Sequence, residues 1–242
     1  MGLFHRGPTA TPTVVLVHGA FADSSGWTAV AAALTAHGHP VLAVANPLRD
    51  LDGDAAYLTS VLATVDGPVV LVGHSYAGSV ITRAAADHEA VSALVYVAAF
   101  IPQVGESSGG LNALYPGSLL TPDNLVLRPT PDGRTDLTVR ADRFGEVYAG
   151  GLEGAALAAA AFAQRPITAE ALGGELTRAP ERVIPSWQVV ATQDNAVPPA
   201  LQRHLAERVG ATVLESRSGH HVAAVHPEVV VEAVLAATAV RV

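Results

Sequence analysis

Short runs that are apolar at nearly every position recur along this chain and restrict its fold more than any other feature. A strand with one wet face alternates apolar with polar residues. A run without alternation is buried on both faces, which requires a parallel sheet covered by helices on each side. Such runs predict strands at Val14–His18, Val41–Val44, Val69–Val72, Ala93–Ala98, Ser186–Ala191 and Thr212–Glu215. Helical patterns fall between them at Gly26–His37, Asp54–Val65, Tyr76–Asp87, Pro199–Val209 and Pro227–Ala237. Strands alternating with helices make βαβ units, so the expected class is α/β with a doubly wound, mostly parallel sheet.

The alternation breaks between Ile101 and Pro185. Gly, Pro, Ser and polar residues cluster in "IPQVGESSGG", "YPGSLLTPDN" and "RPTPDGRTD", followed by helical patterns near 142–149, 152–163 and 168–177. A segment this long is no ordinary loop and is expected to be a lid. The expected organisation is a core of 1–100 and 186–242, interrupted by a cap at 101–185.

Composition narrows the chemistry. The chain has 242 residues, 50% of them hydrophobic, enough for a large core. A net charge of -8 excludes a basic nucleic-acid surface. Every cationic residue is Arg, so no lysine nucleophile exists, and the absence of Cys removes thiol catalysis and thiolate metal sites. The opening "MGLFHRGPTATPT" lacks a signal peptide's apolar region, and no apolar run reaches membrane-spanning length, so a cytoplasmic protein without membrane contact is expected.

Catalytic groups in open α/β sheets collect at the carboxyl ends of strands, and four features lie there. In "VVLVGHSYAG", Ser75 falls between an apolar run and a helix. A sharp strand–Ser–helix turn projects the hydroxyl clear of the backbone and beside helix-terminal amides. The pattern G-x-S-x-G ends here in Ala77, with Gly78 one step later; the plainer alternative is a serine capping the helix. In "VVLVHGAFADSSGW", small residues after His18 open a loop whose amides suit a developing oxyanion. The expected donors are the N–H groups of Ala20 (or Phe21) and Tyr76, and the Tyr76 ring is expected to shape a pocket wall. His18 and His74 read as bracing groups, with His74 also a candidate wall residue. In "WQVVATQDNAVPP", Asp194 lies just past a buried strand, placed either to orient a histidine or to close its own turn. In "ESRSGHHVAAVHPE", His220 or His221 is the candidate base, while His226 belongs to the start of the last helix. The histidines lack the acid spacing of a metal site, so no metal and no cofactor is expected. The order serine, acid, histidine is that of α/β-hydrolases.

These pieces resemble the α/β-hydrolase superfamily, and within it the plant methylesterase and hydroxynitrile lyase group with its bacterial esterase relatives. "VLVHGAFADSSGW", "LVGHSYAG", "LVYVAAFIPQVGES", "VVATQDNAVPPALQRHLAERVGA" and "SGHHVAAVHPEVVVEAV" carry the likeness. It implies a Ser75–His220–Asp194 triad, an oxyanion hole from backbone amides and a small helical cap. The family places its histidine seven residues before the proline that opens the final helix, which from Pro227 selects His220. The lyase branch uses a pocket Lys and a Thr in the first loop, and this chain has neither.

The function expected is hydrolysis of a small apolar ester through an acyl-enzyme, without cofactor, by a chain that is a candidate homodimer. A lyase or natural-product tailoring enzyme on the same scaffold, or a non-catalytic small-ligand binding protein, is the alternative. Phe21, His74, Phe100, Tyr115, Phe144 and Tyr148 are expected to line the pocket, with Leu111, Leu114, Leu152 and Phe162 as further cap candidates.

Overall fold

A computed structural model describes residues 11–240; the N-terminal stretch behind the cytoplasmic expectation lies largely outside them. In chain order, β1 (Thr13–Val17), α1 (Thr28–Ala36), β2 (Val41–Val44), α2 (Leu51–Leu62), β3 (Val69–His74), α3 (Ala77–Ala85) and β4 (Val91–Val97) build the first part of the core. Then come α4 (Ser108–Ala113), β5 (Leu125–Pro129), β6 (Thr135–Val139), α5 (Phe144–Val147), α6 (Gly154–Phe162), β7 (Ile167–Thr168) and α7 (Ala169–Gly173). The core resumes with β8 (Ser186–Ala191), α8 (Pro199–Arg208), β9 (Thr212–Ser216), α9 (Val222–Val225) and α10 (Pro227–Thr238).

The apolar runs form one six-stranded sheet in the order β2-β1-β3-β4-β8-β9. Each pairing in it is parallel, β1 to β3 matching Val15 with Leu71 and β3 to β4 matching Val72 with Val95. Successive side chains go to opposite faces. Val14, Leu16, Val70, Val72 and Val95 pack with residues of α1 and α10, whereas Val15, Val17, Val69, Leu71 and Tyr96 pack with α2, α3, α8 and the segment between β4 and β8. Both faces are therefore covered, as runs without alternation demand. Among the described residues no helix is long and apolar enough to cross a membrane.

The segment between β4 and β8 differs from expectation. It contains an antiparallel three-stranded sheet, β5-β6-β7, beside its short helices. The polar stretch "RPTPDGRTD" is the turn of the β5–β6 hairpin, with Gly133 at φ 85°. The local signal was present: Leu125 and Leu127 pair with Val139 and Leu137 across an Asp-Gly turn. Arg49 ties this segment to the core, donating to Asp136 Oδ1 at 2.6 Å and to the Pro166 carbonyl at 2.7 Å. Arg208 adds a fork onto both Glu106 oxygens at 2.7 Å.

Candidate active site

β3 ends at His74 and α3 begins at Ala77, and the chain turns between them at Ser75, whose φ is 56°. A non-glycine residue held in this left-handed region stores strain and persists only where its surroundings fix it. Here neighbours press in from every side. A Cβ on Gly73 would lie 2.7 Å from the Ala77 carbonyl oxygen, and one on Gly19 would lie 2.5 Å from the His74 oxygen. A Cβ on Gly78 would collide with the Phe100 carbonyl oxygen. Ala77 has ordinary helical backbone and is fully buried at 0% exposure. The methyl group fits there because the tightest approach falls one residue later, on Gly78. Among the described residues no hydrogen bond occupies the N–H of Ala20, Phe21 or Tyr76. Phe21, like Ser75, has positive φ, at 60°, so the strain is shared by the two loops that meet at this point. The Tyr76 ring does not form a pocket wall: it is buried, and its hydroxyl donates to Asp54 Oδ2 at 2.9 Å. Burial raises both the Asp54 carboxyl and the Tyr76 phenol above their ordinary ranges.

The carboxyl ends of β8 and β9 bring Asp194 and His220 together. His220 Nδ1 and Asp194 Oδ2 are 2.7 Å apart, and both side chains are buried. Asp194 accepts three further bonds, from Ala196 N–H at 2.7 Å, Val197 N–H at 2.9 Å and Gln202 Nε2 at 2.7 Å. The carboxylate thus both closes its turn and holds the imidazole, so the two sequence alternatives coexist. Gln202 went unnoticed in the sequence. Its signal was a polar residue on the apolar face of α8, beside Leu201 and Leu205.

Three further buried histidines, His18, His74 and His221, are held neutral by burial. His18 Nε2 accepts from the Asn46 N–H at 3.0 Å and its Nδ1 donates to the Gly19 carbonyl at 3.0 Å, which braces the loop after β1. Burial lowers its pKa to about 4. His74 Nε2 donates to the His220 carbonyl at 2.9 Å, and burial holds it well below the usual histidine range. His221 is pulled down to about 4, first by burial and then by the neighbouring His220. His226 stands apart, paired with Glu228 at 2.9 Å.

Ser75 and His220 line one cavity of about 360 Å³, together with Ala20, Phe21, Phe100, Tyr115 and Tyr148. Among the described residues no hydrogen bond joins the Ser75 hydroxyl to His220; such contacts commonly tighten only when substrate is bound. Other expected wall residues lie elsewhere. His74 sits behind the cavity beneath His220, and Phe144 stacks under Tyr148 at 5.1 Å between ring centroids. Leu111 packs into the core, Leu114 and Phe162 face solvent at 69% and 93% exposure, and Leu152 lines a separate cavity. Their short apolar segments did not reveal which side chains would turn inward. The polar side of the cavity, Ser108, Asn112 and Ser118, was not anticipated. α4 supplies Ser108 and Asn112, and Asn112 Nδ2 donates to Ser118 Oγ at 2.9 Å from the following turn; α4 is fastened to α3 by a 2.8 Å bond between Ser79 and Ser108.

Residues 14–233 match the model of the alpha/beta hydrolase family. A carbendazim hydrolyzing esterase of Nocardioides sp. (strain SG-4G) is 38% identical over 122 residues, 43% of this chain and 48% of that protein. The chain thus spans about half the length of that relative. A pyrethroid hydrolase from Sphingobium faniae JZ-2 superposes with a TM-score of 0.80 at 23% identity, covering 95% of this chain and 98% of its own. Polyneuridine aldehyde esterase gives 0.80 at 22% identity over 94% and 99% of the two chains. A methylesterase from Arabidopsis gives 0.77 at 20% identity over 93% and 98%. At these identities the superpositions speak for a shared fold. With the family model spanning nearly the whole core, the chain belongs to the alpha/beta hydrolase family.

Proposed function

We propose that the chain is a serine hydrolase that cleaves a small, mostly apolar carboxylic ester, with Ser75 as nucleophile, His220 as base and Asp194 as its orienting acid. The observation that carries this reading is the 2.7 Å bond between His220 Nδ1 and Asp194 Oδ2, beside the cavity that Ser75 and His220 share. A carboxylate only accepts, so Nδ1 carries the proton and Nε2 keeps the lone pair that a base needs.

His220 takes the Ser75 proton as the oxygen attacks the ester carbonyl. The amides of Ala20 and Tyr76 receive the oxyanion; Phe21 N–H is the neighbouring alternative to Ala20. His220 then protonates the departing alcohol. Water, deprotonated by the same imidazole, attacks the acyl-enzyme and releases the acid, returning Ser75 to its hydroxyl form. The strained φ of Ser75 supports the reading, since a capping serine has no need of it. The relative named for hydrolysing carbendazim and the pyrethroid hydrolase of like fold make those compounds the first substrates to try.

The test is turnover of p-nitrophenyl esters by wild type and Ser75→Ala, with the carboxylic acid product measured by chromatography. Turnover should fall by about 10⁴-fold or more in the variant. Retained activity, or a product other than the acid, would overturn the assignment.

A further inference from the structure

A second cavity, of about 320 Å³, adjoins the one that holds Ser75. The two share only Phe21 and Tyr148 among their wall residues, and these rings meet edge to face, 6.2 Å apart at 87°, as the partition between them. One wall is a face of α6, where Ala156, Ala159 and Ala160 recur at helical spacing and leave space that larger side chains would fill. Phe144 and Leu152 extend this apolar surface.

The opposite wall carries His221, which is 7% exposed. Its Nδ1 is buried and has no hydrogen-bond partner among the described residues. Buried polar atoms are nearly always paired, so an orphan calls for an explanation. Gly26 makes room for the ring: a Cβ there would lie 2.8 Å from His221 Cε1. The imidazole is held neutral by burial, and so offers one lone pair and one N–H. Asp23 also lines the cavity and adds a second acceptor, its Oδ1 already holding Ser25 N–H at 2.8 Å. The Asp23 carboxylate can only accept and the neutral imidazole can either accept or donate, so a hydroxyl, which does both, can be satisfied by the pair, whereas the Asp23 charge disfavours an anion.

We propose that this cavity is a binding site for an uncharged, aryl-sized apolar group bearing a hydroxyl, which His221 hydrogen-bonds while the alanine face of α6 takes the ring. The proposal goes beyond the esterase reading and does not require Ser75 to be a nucleophile.

The test uses 2-naphthol and naphthalene as probes, titrated calorimetrically into the full chain. Wild type should bind 2-naphthol at least tenfold more tightly than naphthalene. Ala160→Leu and Ala156→Leu, each filling the cavity from a helix with no buried residue, should weaken 2-naphthol at least tenfold. His221→Phe, which keeps a ring and removes the nitrogens, should erase the preference for the hydroxyl. Either leucine variant, if folded by circular dichroism, serves when the other is not. Unchanged affinity in the leucine variants, or equal affinity for the two probes in wild type, would overturn the proposal. Ser75→Ala should lose ester turnover and keep its affinity for 2-naphthol, so failure of the serine assignment and failure of this site appear in different measurements.

Discussion

Replacing Asp194 by Asn probes the heart of the candidate site, because four donors converge on that carboxylate. Oδ1 accepts the Ala196 and Val197 amides, and Oδ2 accepts Gln202 Nε2 and His220 Nδ1. In Asp194→Asn one oxygen becomes an NH₂ group and cannot accept. The two backbone amides are fixed by the turn, so the amide oxygen stays with them and the NH₂ group takes the place of Oδ2. It then faces two donors. Gln202 can respond only by turning its own amide, which would break its bonds to the Val197 carbonyl and the Ala191 N–H. His220 can respond at lower cost by shifting its proton from Nδ1 to Nε2. That shift removes the lone pair directed at the substrate side. The expected fall in kcat is about 10⁴-fold, equivalent to about 5 kcal/mol of transition-state stabilisation. The assay is the initial rate of p-nitrophenyl acetate hydrolysis at neutral pH, with thermal unfolding to verify the fold. A folded Asp194→Asn protein within tenfold of wild type would refute this account of the site.

Gln202→Leu removes one of the four donors and leaves the His220 bond in place, so kcat should fall about tenfold or less, far short of the Asp194→Asn loss; equal losses would contradict the tautomer argument. Gly78→Ala should destabilise the protein by about 3 kcal/mol in urea denaturation, because its Cβ meets the Phe100 backbone rather than a movable side chain. Ala77→Gly restores the G-x-S-x-G spelling, yet should cost about 2 kcal/mol through a lost buried methyl and a glycine in a helix, with ester turnover within a few-fold of wild type. His18 and His221 are buried neutral, with pKa values of about 4 against 6.5. The unfolded chain therefore binds more protons than the native one in that window, and stability should fall as pH drops from about 6.5 to about 4, by up to about 3 kcal/mol per histidine. Urea midpoints that do not change across this range would contradict the buried neutral state.

Much of this molecule is written in local pattern. Val69–Val72 is apolar at every position and lies mid-sheet in β3, because only a strand covered on both faces tolerates such a run. Ser75, Asp194 and the His220–His221 pair could be picked out because each falls just past such a run, where strand ends gather. The segment between β4 and β8 was less legible. Its hairpin carries an Asp-Gly turn signal that the surrounding Pro and polar residues outweigh, and its helices are too short for periodicity to tell an inward from an outward face. Phe162 and Phe144 show the difference: both are aromatic and in the same segment, one at 93% exposure and the other at 1%.

The doubly wound sheet and the strand ends at which chemistry would sit are legible along the chain, since burial periodicity and turn chemistry are properties of neighbouring residues. Which of two adjacent histidines meets Asp194 is not such a property. The family resemblance pointed to His220 through its distance from Pro227, and the contact itself forms because β8 and β9 come together so that His220 Nδ1 faces the carboxylate and His221 turns toward Gly26. The same holds for the tolerance of Ala77. Whether a methyl group fits depends on how closely the Phe100 backbone approaches α3, and residues so far apart in sequence meet only when the sheet is assembled.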